Sequence, residues 1–193
     1  ESNNRLSTLI YDIITGSESK VYISGIGTRS TLLPNGEFGP ENGNFAGYQF
    51  TTSSARKAFV IKFDSSGNLI WGSNAGIPVY ESRRTEFAPG MVLNGDEIAV
   101  ATGFYNQKWG EYGITGQLQQ GAGYEAILIR LNSITGVSIG AHRIFGHIGF
   151  NDALTAVEVD KDGNYIVGGY MRSYIFATDT YVDPIVGMLP LAA

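Results

Sequence analysis

The sequence has 193 residues, of which 26 are glycine and none is cysteine, and its net charge is −5. This length suits one hydrophobic core, and the missing cysteines exclude disulfides, thiolate metal sites and cysteine nucleophiles. The acidic balance disfavours nucleic-acid binding, and no apolar run reaches the roughly 18 residues of a membrane span, so we expect neither nucleic acid nor a membrane span.

The first part of the chain predicts four β-strands joined by turns and one long loop. Apolar residues recur along short segments that Gly, Asn, Asp and Ser bound, and no segment has the 3.6-residue period of a helix. The Gly- and Asn-rich segment Thr28–Ser54 is predicted to be a surface insertion. In chain order, the predicted strands are Thr8–Ile14, Val21–Gly25, Lys57–Phe63 and Leu69–Ser73.

The same pattern recurs further along the chain, with an offset of 68 residues that aligns Phe63 with Leu131. An Asn-Gly pair at Asn94 predicts a two-residue hairpin turn. The strands of this second unit are predicted at Ala88–Leu93, Ala99–Gly103, Glu125–Leu131 and Val137–His142.

A third unit begins in the same way but does not repeat the third strand clearly. Its predicted strands are Leu154–Val159 and Tyr165–Gly169, and Tyr181–Met188 is a candidate substitute strand that Pro184 weakens. The small residues that end the second strand of each unit indicate a bend or the close approach of another backbone.

The third strand of the first unit is apolar on both faces. Phe59, Ile61 and Phe63 share one face by the two-residue period of a strand, and Val60 lies on the other. A strand that is apolar on both faces is sandwiched between sheets. We therefore predict an all-β fold of four-stranded antiparallel sheets that are β-propeller blades, about two and a half to three in this chain. A long β-sandwich is the alternative.

The units have predicted boundaries at 6–76, 87–146 and 153–193, all within one propeller domain. A closed propeller needs about four to eight blades. We expect a chain that begins at Glu1 to be a piece of a longer propeller, or one subunit of an assembly, whose bare blade faces are covered by other blades of the parent protein or by other copies.

Two segments resemble the SBBP-type β-propeller repeat. They are Ala58–Trp71, continuing to Gly76, and Val157–Gly169; Gly47–Gln49 is similar to a loop of that family. The second unit departs from the pattern, because Gly140 and Asn132 stand where the first has Trp71 and Asp64. The resemblance covers most of residues 8–170, and it implies a secreted or cell-surface location.

The spacing of Asp64, Gly67 and Trp71 also resembles the tryptophan-docking repeat of quinoprotein propellers. The resemblance implies that the Trp71 indole packs between adjacent sheets and that Gly67 permits the turn before it. We interpret Trp71 as a packing residue rather than a cofactor contact.

Two further segments are candidate ligand sites. Asp160, Asp162 and Asn164 have the oxygen ligands that Ca²⁺ prefers, although the residue that would complete a calcium loop is Met171; a plain β-turn is the alternative. Tyr105, Trp109 and Tyr112 lie in one polar loop, where aromatic rings serve either glycan stacking or packing between blades.

No nucleophile elbow, phosphate-binding loop or zinc-protease motif is present in the sequence. We therefore expect a non-catalytic structural or interaction module of a secreted or surface propeller, with no cofactor except calcium as a candidate. A lectin-like propeller that uses the Tyr105–Tyr112 loop is the alternative hypothesis, and a propeller enzyme is a lesser one.

Overall fold

The computed structural model describes residues 8–27, 43–50, 57–76, 89–104, 107–113, 124–144, 152–175 and 179–189. Within these ranges the fold is all-β, and the one helix is the 3₁₀ turn Ser17–Ser19. None of these residues forms a helix with the length and hydrophobicity needed to cross a bilayer.

Fifteen strands follow one another in this part of the chain. They are β1 (Thr8–Thr15), β2 (Val21–Gly27), β3 (Gly43–Phe45), β4 (Tyr48–Phe50), β5 (Lys57–Phe63), β6 (Leu69–Asn74), β7 (Gly90–Asn94), β8 (Glu97–Phe104), β9 (Lys108–Trp109), β10 (Tyr112–Gly113), β11 (Glu125–Asn132), β12 (Ser138–Ile144), β13 (Ala153–Val159), β14 (Tyr165–Ile175) and β15 (Asp179–Leu189).

Three antiparallel sheets form, each from one continuous part of the chain. The first sheet has the order β1-β2-β5-β6, the second β7-β8-β11-β12, and the third β13-β14-β15. The prediction of antiparallel four-stranded sheets is confirmed for the first two. The substitute strand predicted at Tyr181–Met188 lies within β15, which pairs with β14. Two short hairpins, β3-β4 and β9-β10, lie outside these sheets.

The three sheets are stacked in chain order. One apolar cluster joins the first sheet to the second, and another joins the second to the third. The central strands β5 and β11 are buried along almost their whole length, as an apolar pattern on both faces predicts. The first sheet lies within the predicted unit 6–76, the second within 87–146 and the third within 153–193.

Each sheet has two faces, which we name by the direction of the chain. The forward face of a sheet points toward the next sheet, and the back face points away from it. On the first sheet, Val60 lies on the forward face, and Phe59, Ile61 and Phe63 lie on the back face. The back face of the second sheet presents larger side chains to the first, namely Ile98, Val100, Ile127, Ile129 and Leu131. Its forward face presents smaller ones to the third, namely Ala99, Ala101 and Ala126, with Leu128.

The strand pairing corrects the sequence alignment of the second strands by one residue. Gly25 is paired with Phe59, and the residue paired with Ile127, which is 68 positions after Phe59, is Thr102 rather than Gly103. A shift of one residue moves a side chain to the other face of a sheet. Thr102 is therefore the structural equivalent of Gly25, and small residues alone gave the wrong register.

Gly25 and Gly169 explain why small residues end the second strands of the first and third units. A Cβ atom at Gly25 would overlap the carbonyl oxygen of Leu9, and one at Gly169 would overlap that of Ala153. Both glycines lie beside an irregular step in the pairing with the preceding strand, between Ile10 and Asp12 in the first unit. The small residues were predicted to indicate either a bend or the close approach of another backbone. At Gly25 and Gly169 the structure shows the close approach of another backbone.

Candidate functional site

The contact between the first and second sheets centres on the carbonyl oxygen of Ser133. Lys62 Nζ donates to this oxygen over 2.7 Å, and Trp71 Nε1 donates to it over 3.2 Å. Lys62 and Trp71 are paired across β5 and β6, so two adjacent strands direct donors to one acceptor on the next sheet. The aromatic ring of Tyr22 lies 6.1 Å from Trp71, and Lys62 Nζ lies 5.1 Å from the centroid of that ring.

The structure thus places the Trp71 indole against the cluster that joins the two sheets. Its six-membered ring fills the space beside Gly136, in the turn that precedes β12. Gly67, in the turn before β6, has a φ of +82°, a backbone conformation that favours glycine. Burial of a cationic side chain such as Lys62 needs strong hydrogen bonding, and the Ser133 carbonyl supplies it.

The second sheet makes its contact with the third through a different set of side chains. Arg130 and Gly140 are the equivalents of Lys62 and Trp71, and the Arg130 guanidinium fills the space beside Gly140. Glu97 accepts a hydrogen bond from Arg130 and another, of 3.0 Å, from the Tyr165 hydroxyl on the third sheet. Burial, and then the hydrogen bond to Glu97, raise the pKa of Tyr165 to about 12.

Other hydrogen bonds join neighbouring sheets at their edges. Ser24 Oγ donates to the carbonyl oxygen of Pro89 over 2.6 Å, and Asp12 accepts from the backbone N–H of Met91 over 2.9 Å. Asn94 Nδ2 donates to the carbonyl oxygen of Gly163 over 2.9 Å. The polar groups around the stacked sheets are therefore used to hold one sheet on the next.

The predicted aromatic loop does not present its described rings together. Tyr105 lies outside the described residues. Trp109 is buried between the first two sheets, and its Nε1 donates to Ser73 Oγ over 2.7 Å. Tyr112, which is 36% exposed, is the partner of Trp109 in the β9-β10 hairpin. Of these two rings, only Tyr112 is open to solvent, so the geometry of Trp109 is that of packing between sheets.

The candidate calcium residues form a turn that is held by its own hydrogen bonds. Asp160 Oδ1 accepts from the backbone N–H groups of Asp162 and Asn164, and its Oδ2 accepts from Asn164 Nδ2. The carboxylate of Asp162 accepts from Lys161 Nζ. The hydrogen bonds that Asp160 accepts lower its pKa, with the bond from the side chain of Asn164 as the largest cause.

The first sheet has an equivalent turn, in which Asp64 makes the same bonds to Asn68. Within the described ranges, no group of three histidine, aspartate or glutamate side chains is arranged to hold a metal ion. The hydrogen-bonding roles of Asp160 and Asn164 are thus those of a turn, and calcium binding there stays a prediction.

The back face of the first sheet is covered in part by the β3-β4 hairpin. Phe59, Ile61 and Phe63 are buried, and Tyr48 packs against their cluster. The Tyr48 ring occupies the space beside Gly72 in β6, and its hydroxyl donates to Asn74 Oδ1. Burial raises the pKa of Tyr48 to about 12.

This packing adds detail to the expectation that Thr28–Ser54 is a surface insertion: its part Gly43–Phe50 forms a hairpin whose Tyr48 packs against the sheet, and the rest of the segment lies outside the described residues. The aromatic residue Tyr48, which follows an Ala-Gly turn, was the sequence signal for a hairpin whose side chain packs against the sheet. Sequence reasoning missed it because the loop as a whole is polar and rich in glycine.

The forward face of the third sheet is the other outward face of the stack. Ile166 on β14 is 41% exposed, and Ala156 and Glu158 on β13 are exposed as well. Ile166 pairs with Glu158, and Gly168 with Ala156, so these four residues share one face. The apolar cluster that joins the second and third sheets contains none of these four residues.

No family model matches the sequence, and no curated protein matches it. The class of the protein therefore rests on its fold and contacts: it is an all-β protein of antiparallel sheets stacked in chain order. The candidate functional surfaces are the two outward faces of this stack.

Proposed function

We propose that the chain is a set of consecutive β-propeller blades and acts as a non-catalytic structural or interaction module. The observation that carries this proposal is the second sheet, which is buried on both faces between a preceding and a following sheet of the same chain. Stacking of antiparallel sheets in chain order is the arrangement of propeller blades.

A two-layer sandwich is supported less well by the same observation. In a sandwich each sheet buries one face and exposes the other. The second sheet instead has two apolar faces of different character, with larger side chains such as Ile129 at the back and smaller ones such as Ala101 at the front. Because its two faces differ in this way, the second sheet has one orientation in the stack, with its larger side chains toward the first sheet and its smaller ones toward the third.

The charged and polar residues at the junctions support a structural role. Lys62, Arg130 and Glu97 are hydrogen-bonded at the contacts between sheets rather than gathered around a cleft. The resemblance to SBBP-type repeats adds the proposal of a secreted or cell-surface location. The partner in this proposal is a further sheet on the forward face of the third sheet. Other blades of the parent protein or other copies would supply this sheet in the native particle, and another copy would supply it when the 193-residue chain is studied by itself.

The experiment is the particle mass by sedimentation velocity over a range of concentrations, for the wild type and for Ile166→Asp. A carboxylate pressed against an apolar partner costs several kcal/mol, so we expect Ile166→Asp to weaken association at least about tenfold. Ile134→Asp is the matched control, because Ile134 is 62% exposed on a turn of the second sheet. A wild type that stays monomeric at tens of micromolar, or equal effects of the two variants, would overturn the proposal.

A further inference from the structure

The back face of the first sheet repeats the pattern of the back face of the second. Phe59 and Ile61 are the equivalents of Ile127 and Ile129, and Ile23 is the equivalent of Val100. On the second sheet these positions are covered by the first sheet. On the first sheet Phe59 and Ile61 are buried as well and Ile23 is partly buried, although no sheet precedes it among the described residues.

The β3-β4 hairpin provides this cover through Tyr48. The ring of Tyr48 lies over Gly72, whose partner across the sheet is Ile61. The Tyr48 hydroxyl donates to Asn74, whose partner is Phe59. One side chain therefore contacts the same face of the sheet that a preceding sheet would contact.

The cover is incomplete along β1. Ile13 is paired with Ile23, and Ile10 with Gly25, so both isoleucines belong to the back face. Both are exposed, and Ile13 is 58% exposed. The hairpin covers the β5 and β6 side of this face. It leaves an apolar strip, formed by Ile10 and Ile13 of β1, that another sheet could contact first.

The forward face of the third sheet has the features of a partner for this strip. Gly168 occupies the position of Ser24 in the first sheet and of Ala101 in the second, which are the small residues that face the next sheet. Ala156 beside it is small and exposed. The forward faces of the first two sheets each receive a back face with bulky side chains, and the back face of the first sheet is of that kind.

We propose that the β3-β4 hairpin is an intrachain cap, held by Tyr48, that competes with the third sheet of a second copy for the back face of the first sheet. The proposal rests on the proposed function, because it needs sheets of this chain to stack on one another. The contact is head to tail, so it joins different surfaces of the two copies. The rotation from one copy to the next decides whether the assembly closes into a ring or grows as an open chain of copies.

The test compares self-association of Tyr48→Ala with that of the wild type by sedimentation velocity. We expect Tyr48→Ala to associate about tenfold more tightly, since the competing cap is lost, and to bind more of an apolar fluorescent dye when dilute. Tyr112→Ala, which removes an exposed tyrosine from another hairpin, is the matched control and should change neither. Equal association of Tyr48→Ala and the wild type, with the circular dichroism of a folded β protein, would overturn the cap.

A conservative variant keeps the test decisive if Tyr48→Ala does not fold. Tyr48→Phe keeps the ring over Gly72 and loses only the bond to Asn74, so we expect a smaller gain in association in the same direction. No gain with Tyr48→Phe in that case would overturn the proposal.

The occupant is tested by the double variant Tyr48→Ala with Ile166→Asp. If the third sheet is the partner, the gain from Tyr48→Ala disappears; a gain that persists would assign the uncovered face to another surface and refute this part of the inference. If Ile166→Asp weakens association but Tyr48→Ala leaves it unchanged, the cap is refuted and the proposed function is not. If Ile166→Asp leaves association unchanged, the proposed function is refuted.

Discussion

Asp64 and Asp160 begin equivalent turns and make the same hydrogen bonds to the residue four positions on, Asn68 or Asn164. Both carboxylates accept these bonds more strongly when they are ionised, so both have a pKa below the usual value, with the asparagine side chain as the first cause. A lowered pKa in the folded state stabilises the fold above the ordinary carboxyl pKa. That contribution is lost as the pH falls through the folded-state value.

We expect Asn164→Ala to raise the pKa of Asp160 toward the ordinary value and to leave the pKa of Asp64 unchanged. We expect Asn68→Ala to raise the pKa of Asp64 and to leave that of Asp160 unchanged. The measurement is a carboxyl NMR titration of the two aspartates in each variant. If the pKa of Asp160 in Asn164→Ala equals that in the wild type, the turn does not hold this carboxylate as described.

Two buried hydroxyls on equivalent second strands differ in their partners. Ser24 Oγ donates to the Pro89 carbonyl, whereas Thr102 Oγ1 is buried without a hydrogen-bond partner. We expect Ser24→Ala to lower the free energy of unfolding by about 1–2 kcal/mol and Thr102→Val to leave it unchanged or raise it. Urea denaturation measures both, and equal losses for the two variants would contradict this account of the junction.

At the scale of the strands, local pattern was a good guide because turn residues bound each strand. The strand predicted at Lys57–Phe63 has those bounds in the structure, and most others differ by one or two residues at one or both ends. The Asn-Gly turn at Asn94 is the two-residue hairpin that was predicted, with Gly95 at a φ of +59°. The Asp-Gly pair at Asp162 instead lies in a five-residue turn, because the Asp160 side chain bonds across it.

Register was harder to predict than the existence of the strands. Gly25 needs to be glycine because of the nearby Leu9 carbonyl, while Thr102 at the equivalent position has room for a side chain. That difference arises from the irregular pairing at Ile10 in the first sheet, for which β7 has no counterpart. A local sequence pattern carries no record of such an irregularity in a partner strand.

Glycine substitutions in the first sheet separate two reasons why a position needs glycine: lack of space for a Cβ atom, and a positive φ. We expect Gly25→Ala to destabilise the fold by at least about 2 kcal/mol, because its Cβ overlaps the Leu9 backbone. Gly67→Ala should cost about 1 kcal/mol, from the positive φ alone, since no atom lies within 4 Å of the position of its Cβ. Thermal unfolding of the two variants checks the order, and a larger loss for Gly67→Ala would contradict it.

For the whole molecule, repetition predicted the separate antiparallel sheets, and the two apolar faces of the third strands predicted that a sheet would be buried on both sides. The positions of Tyr48 and Trp109 could not be predicted in this way. Each lies in a hairpin outside the sheets, and each finds its partner, Asn74 or Ser73, on a strand distant in the sequence. Such contacts depend on the finished stack rather than on local pattern.

We propose that these sheets are blades of a propeller and that the forward face of the third sheet, at Ile166, lies against another sheet. An experimental structure of the particle that the native chain forms in solution tests this most directly. We expect this structure to have sheets arranged radially about one axis, with Ile166 buried against bulky side chains of the neighbouring sheet. A lone copy of the chain, with Ile166 in solvent and no sheet on its forward side, would contradict it.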